Sequence, residues 1–156
     1  MHLYLIRHAE ALADREDARR PLSSSGLRDA ARLAELLARA GLARPAEVFH
    51  STRLRTRQTA ECLARAWTGV PIRERPGLEP HDDVQPVARA LEARTGDLAL
   101  IGHLPHLPRL AALLLSGDAD RELIDLPPAG ALCLLRTDTS PPHWSLRWML
   151  TPRLLA

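Results

Sequence analysis

Lysine is absent: all 21 basic residues of this 156-residue chain are arginine. GC-rich coding is the plain source of that bias, because exchange of lysine for arginine is an inconsistent signature of heat adaptation. The positive charge is not massed either. The 19 acidic residues are interleaved with the arginines, the formal net charge is +2, and aromatics are 3% of the chain. Too few rings are present to stack bases, so a nucleic-acid surface is not the expectation. Cys62 and Cys133 are the only cysteines. Two thiols so far apart read as buried and reduced, and a zinc site would want more of them at short spacing. No apolar run approaches the roughly 18 residues of a membrane span. A basic segment, an apolar stretch and a small-residue cleavage site are all missing at the N-terminus. The expectation is a cytoplasmic protein.

What the chain does have is a core. Apolar residues are 46% of it, and its length suits one domain over residues 1–156. Residues 2–6 read as a buried strand. "SSSGLRDAARLAELLARAG" reads as a helix over about 24–40, with Leu27, Leu33, Leu36 and Leu37 at helical spacing and Gly41 to stop it. Further strands are expected at 46–51, 70–74, 97–103, 130–138 and 144–150. Further helices are expected at 53–67, 83–94 and 107–117. Strands alternating with helices imply an α/β fold, a three-layer α/β/α sandwich whose mainly parallel sheet is covered on both faces.

In such folds ligands bind outside the carboxyl ends of the strands. Arg7 and His8 follow the first strand, Ser51 and a run of arginines follow the second, and His103 follows the strand at 97–103. Three segments thus bring basic groups to one edge of the sheet. Each motif is weak alone. "RHAE" is an Arg beside a His, "STRLRTRQT" (51–59) is a helix start, and "GHLPHL" (102–107) is a strand-to-helix turn.

In order along nearly the whole chain, they resemble the histidine phosphatase superfamily. The branch is the phosphoglycerate-mutase-like one, and the closer likeness is to the short SixA-type phosphohistidine phosphatases. "LYLIRHAEA" looks like the nucleophile motif, usually Arg-His-Gly, with Ala in the place of Gly. "DARRPLSSSG" (17–26) is similar to Asp-x-x-Arg-Pro-Leu-Ser/Thr-x-x-Gly, "STRLRTRQT" to Ser-x-x-x-Arg-x-x-Gln-Thr, and "GHLPHL" to the second histidine motif. The resemblance implies a phosphoglycerate-mutase-like fold and a covalent phosphohistidine on His8. It implies that Arg7, Arg55 and His103 hold the phosphate, with no cofactor and no metal.

The residue types suit that chemistry. Phosphoryl transfer is catalysed mostly by positioning and by stabilising charge on three oxygens. Two guanidinium forks can each donate paired hydrogen bonds, and His103 can donate another. A nucleophilic histidine must present a neutral nitrogen, and positive neighbours lower its pKa to keep it so. Arg55, Gln58 and Thr59 share one helix face. Arg55 is read as a ligand, with Gln58 and Thr59 supporting it, while Arg53 and Arg57 point to solvent. Glu10 is expected to pair with an arginine. Arg20 either reaches the substrate from its loop or forms a structural salt bridge. His2, His50 and His143 carry no motif.

The general acid is the weakest part of the pattern. Many relatives donate a proton from a carboxylate in an inserted segment, but here that region is only "PIRERPGLEPHDDVQP". It is too short for a capping subdomain. Glu79 is the nearest acid candidate, with Asp82 and Asp83 behind it. A phosphohistidine substrate would need little acid help, because imidazole leaves for imidazole, whereas an alkoxide would need much more. The expected partner is therefore a phosphorylated protein. The rivals are a small-molecule phosphomonoesterase on the same fold and a phosphate-binding or partner-binding module without turnover. Because Arg7 and Arg55 replace a cation in this reading, turnover should survive EDTA. Loss on chelation, restored by a divalent metal, would revive a site built from His81, Asp82, Asp83 and His106.

Overall fold

Leu3, Tyr4, Leu5 and Ile6 are all buried, because their strand is covered on both faces. The computed structural model describes residues 1–151, so positions 152–156 of the expected domain lie outside the described residues. Its strands are β1 (His2–Arg7), β2 (Glu47–His50), β3 (Ile72–Glu74), β4 (Leu98–Gly102), β5 (Ala131–Arg136) and β6 (Trp144–Leu150). Its helices are α1 (Ser24–Arg39), α2 (Leu54–Leu63), α3 (Gln85–Glu92) and α4 (His106–Ser116). The sheet order is β3-β2-β4-β1-β5-β6. The first four in that order run parallel, β5 is antiparallel to β1, and β6 is antiparallel to β5. The sheet is mixed and mostly parallel, as expected.

Alternate residues of each strand feed two separate cores. Leu3, Leu5, Leu98, Leu100 and Leu132 pack against Val87 and Leu91 of α3 and Leu107 and Leu110 of α4. Tyr4, Ile6, Val48, Ala99 and Ile101 pack against Leu33 and Leu37 of α1 and Leu63 of α2. This is the three-layer sandwich, with a helix pair on each face.

Register places the site. Arg7 pairs with Gly102 across the parallel β1–β4 ladder, so the next residues, His8 and His103, leave the sheet side by side. His50 pairs with Ile101, which brings Ser51 beside the end of β4.

The structure differs from the expected elements at two points. α2 ends at Leu63 rather than reaching Trp67, which lies in the turn beyond it. Trp67 is nevertheless 2% exposed, with its ring centroid 5.5 Å from that of Tyr4. Tertiary packing, not helical spacing, buries it. Leu27 is exposed, because the first turn of α1 meets the protein through Gly26 instead.

That turn is built tightly. Ser23 caps α1 by accepting from Gly26 N at 3.0 Å, and Ser23 N donates to Glu10 O at 3.0 Å. A Cβ on Gly26 would meet the Glu10 carbonyl closer than the 3.0 Å that real Cβ atoms keep. The glycine of the "LSSSG" segment is therefore needed for backbone approach. Gly26→Ala should lower stability by about 1–3 kcal/mol, the usual cost of overpacking, even though alanine gains roughly 1 kcal/mol of helix propensity. Urea unfolding would read this, and an unchanged or raised midpoint would contradict it.

Candidate active site

At the end of β1, the backbone is clamped from both sides. His8 N donates to Gly102 O at 3.0 Å, Arg7 N donates to Gly130 O at 3.0 Å, and Ala129 N donates to His8 O at 3.2 Å. The side chain of His8 is fixed as well. Its Nδ1 lies 2.7 Å from Ala9 O, and a carbonyl can only accept, so Nδ1 carries the proton. Nε2 is left with a lone pair, and Arg55 Nε donates to it at 3.3 Å.

Arg55 is 8% exposed and reaches two imidazoles at once. Its Nη2 lies 3.4 Å from Nδ1 of His103. The rings of His8 and His103 meet edge-on, with centroids 5.1 Å apart. Arg7, next to His8 in the chain, adds its charge to this group. Its Nη1 donates to Leu126 O at 2.9 Å, while its Nε–H is buried without an acceptor among the described residues. The structure therefore brings Arg7, His8, Arg55 and His103 together.

Burial is the main cause that pushes His8 down to about 4. The hydrogen bond to Ala9 opposes this, and the charges of Arg55, Arg7 and Arg20 add to it. His103 is pushed down to about 3, by burial first and then by His8 and Arg55. Arg7 and Arg55 are also lowered, chiefly by burial. The site thus holds guanidinium charge around two neutral rings.

Gln58 and Thr59 tie α2 to the loops around it. Gln58 Oε1 accepts from Leu22 N at 2.8 Å, and Thr59 Oγ1 accepts from Ala9 N at 3.1 Å. Two of the expected pairings come out differently. Glu10 bonds to the hydroxyls of Ser23 and Ser25 rather than to an arginine, because the cap of α1 lies directly beneath it. Arg53 is not simply solvated, since its Nε donates to Glu79 Oε2 at 2.6 Å. Arg57, by contrast, is exposed and lies 3.5 Å from Glu61.

Glu79 sits in residues 75–84, which carry no helix or strand. Burial would raise its pKa, but bonds from Thr52 and Arg53 outweigh burial and hold it at about 2. Thr52 Oγ1 donates to Glu79 Oε1 at 2.7 Å. A carboxylate tied in this way is ionised at neutral pH and has no proton to give. Arg20 donates from Nε to Leu12 O at 3.1 Å and lies 3.5 Å from Asp14, with its backbone in the left-handed region at φ 50. Its charge bears on His8 and Arg55, and its Nε serves the loop.

Sequence reading placed Ser51 at the strand end and in the motif but gave it no role. Its Oγ lies 2.6 Å from Nε2 of His103, and it is fully buried. Its place at a strand end beside a histidine-bearing strand was the available signal.

Residues 3–82 match the histidine phosphatase superfamily (branch 1). A protein of Picosynechococcus sp. is 35% identical over 142 residues, covering 86% of this chain and 84% of that one. The structure of the protein histidine phosphatase SixA complexed with tungstate superposes with a TM-score of 0.87 at 24% identity, over 100% of both chains. A structure from Agrobacterium tumefaciens that bears the name phosphohistidine phosphatase SixA gives 0.77 at 26% identity, over 97% of both chains. An alpha-ribazole-5'-P phosphatase structure from Escherichia coli gives 0.77 at 20% identity, over 97% of this chain and 98% of that one. This chain belongs to the histidine phosphatase superfamily and is a hydrolytic phosphatase of the SixA type.

The neutrality of His8 sets a testable pH limit. The resemblance implies that His8 is the nucleophile; a nucleophile needs its lone pair, so in that role activity is lost as pH falls through the pKa of the free enzyme. With His8 held at about 4, the acid limb of kcat/KM should lie near there. A limb near 6.5, the ordinary imidazole value, would show that the site does not hold His8 neutral.

Proposed function

We propose that this phosphatase attacks phosphorus with Nε2 of His8, forms a covalent phosphohistidine, and acts on protein phosphohistidine without a metal or cofactor. The observation that carries the reading is the unprotonated Nε2 of His8, which accepts from a buried arginine at 3.3 Å and is fixed by a 2.7 Å bond at the opposite ring nitrogen. In this reading the incoming phosphoryl oxygens take donors from Arg55 and from the unpartnered Nε–H of Arg7. His103 faces the same phosphate. The guanidinium charges stabilise the transition state in a buried, low-dielectric site. Water then attacks the phosphohistidine and regenerates His8.

Three observations favour a protein substrate. Residues 75–84 are short and irregular, consistent with a single domain without a cap. Glu79 is held ionised, which suits a leaving group that needs little acid help. A groove of about 670 Å³ opens beside the site, lined in part by Leu104, Leu123, Ile124 and Leu126. Leu126 supplies the carbonyl that holds Arg7. Structural neighbours named for SixA phosphohistidine phosphatases agree with this choice. No helix among the described residues is long and apolar enough to cross a membrane, and a cytoplasmic phosphoprotein is the expected partner. Arg20, held to the loop through Nε, acts on the phosphate through its field. Small phosphate esters are the second reading, favoured by the alpha-ribazole-5'-P phosphatase neighbour.

A substrate panel separates the two. A phosphorylated histidine-containing transfer domain should be turned over with a higher kcat/KM than any sugar phosphate, and the reverse order would establish the small-molecule reading. On the better substrate, Arg55→Ala should cost about 2–4 kcal/mol of transition-state stabilisation, the usual loss on removing one preorganised donor. Arg53→Ala should cost far less. Equal losses would contradict the helix register that places Arg55, and not Arg53, on the phosphate.

A further inference from the structure

His103 presents its two ring nitrogens to different surroundings. Nδ1 faces Arg55 and the phosphate pocket, and Nε2 faces the interior, where Ser51 Oγ lies 2.6 Å away. The hydroxyls behind it decide which nitrogen carries the proton.

Thr56 Oγ1 lies 2.7 Å from Arg53 O and 3.0 Å from Ser51 O. Both carbonyls can only accept, so the single Thr56 proton goes to one of them, and Arg53 O is the nearer. Toward Ser51 Oγ, 3.0 Å away, Thr56 then offers a lone pair, which takes the Ser51 proton when Nε2 of His103 carries the ring proton. Ser51 Oγ in turn accepts from Arg53 N at 3.3 Å and from His103 Nε2. The chain therefore runs from His103 Nε2–H to Ser51, from Ser51 to Thr56, and from Thr56 to Arg53 O. Ser51, Thr56 and His103 are all buried, so no bulk water competes for these bonds. The pattern agrees with the other side of the ring. Arg55 can only donate, so its 3.4 Å contact is a hydrogen bond when Nδ1 is the acceptor and Nε2 carries the proton, and this selects that tautomer.

We infer that Ser51 and Thr56 are positioning residues that pin a proton on Nε2 of His103, so that an oxyanion entering beside Arg55 is met by uptake of a proton at Nδ1. The inference rests on the reading of this site as a phosphate site. Uptake turns His103 from an acceptor of the Arg55 bond into a donor toward a phosphoryl oxygen, while Nε2 keeps its bond to Ser51. The proton comes from solvent on binding and returns to it when phosphate leaves, so the cycle balances. The groups facing His103 are His8 from the end of β1, Arg53 and Arg55 from the start of α2, and Glu79 from residues 75–84. Burial and the positive neighbours hold the free ring neutral, at about 3. A dianion lying against the ring favours the charged form and opposes both.

The probe is tungstate, a dianion at neutral pH, with the full chain. Calorimetric titration at pH 7 in two buffers of different ionisation enthalpy counts the protons taken up. About one should enter with tungstate in the wild type and none in His103→Gln. His8→Ala should retain the uptake, which assigns it to His103. Side-chain nitrogen NMR of the free wild type should show His103 protonated at Nε2. Thr56→Val removes the acceptor of the Ser51 proton, which then turns to Nε2 and drives the ring proton to Nδ1. That variant should bind tungstate without uptake and show the reversed tautomer. Thr56→Ser should restore the wild-type tautomer. Failure of the wild type to bind tungstate would overturn the phosphate-site reading itself. Binding without uptake, Nδ1 protonation in the free wild type, uptake that follows His8, or an unchanged tautomer in Thr56→Val would overturn this inference alone.

Discussion

Two guanidinium groups and two imidazoles meet at one end of this sheet, and that crowding is possible only while the rings are uncharged. Desolvation alone disfavours a cationic imidazole, and Arg7 and Arg55 disfavour it further. The hydrogen bonds distribute what protons remain. Nδ1 of His8 donates to Ala9 O, which leaves the Nε2 lone pair to accept from Arg55. The same arginine faces a lone pair on His103. A buried place that already holds two cations and two lone pairs is poised for an anion. An entering phosphate would satisfy the unpartnered Arg7 Nε–H as well as the charge.

Helix α2 organises much of this. Within one turn and a half it supplies Arg55 to the pocket, Thr56 to the hydroxyl chain behind His103, Gln58 to the loop before α1, and Thr59 to the backbone after His8. Its start is also where Glu79 is pinned by Thr52 and Arg53. The proposed phosphate ligand, the support of the loop after His8 and the sequestering of the nearest carboxylate are therefore consequences of one short helix in one register. The sheet does the rest. The parallel β1–β4 pairing sets His8 and His103 at neighbouring strand ends without any contact between the side chains being needed.

Much of this was legible from residue spacing. Basic residues at strand ends read correctly as a shared edge, because parallel strands put their carboxyl ends on the same side. The three-and-four spacing of Arg55, Gln58 and Thr59 read correctly as one face. What spacing could not give were contacts set by loop paths. Arg53 and Glu79 are 26 positions apart and meet only because residues 75–84 fold back over the start of α2. Glu10 turned to Ser23 and Ser25 because the first turn of α1 is pressed against its backbone, a closeness hinted at only by Gly26. Trp67 showed the limit of periodicity. Its distance from Leu63 suggested a continuing helix, yet a turn delivers it to the same core. The role of Ser51 depended on strand register, which no single segment carries.

The central claim is that Nε2 of His8 becomes bonded to phosphorus during turnover. The most direct measurement is to quench the enzyme with base in the presence of excess substrate and to map the trapped phosphate by mass spectrometry. The account predicts a phosphoenzyme stable to base, labile to acid and located on His8. Phosphate on another residue, or full turnover by a His8→Ala variant, would contradict it.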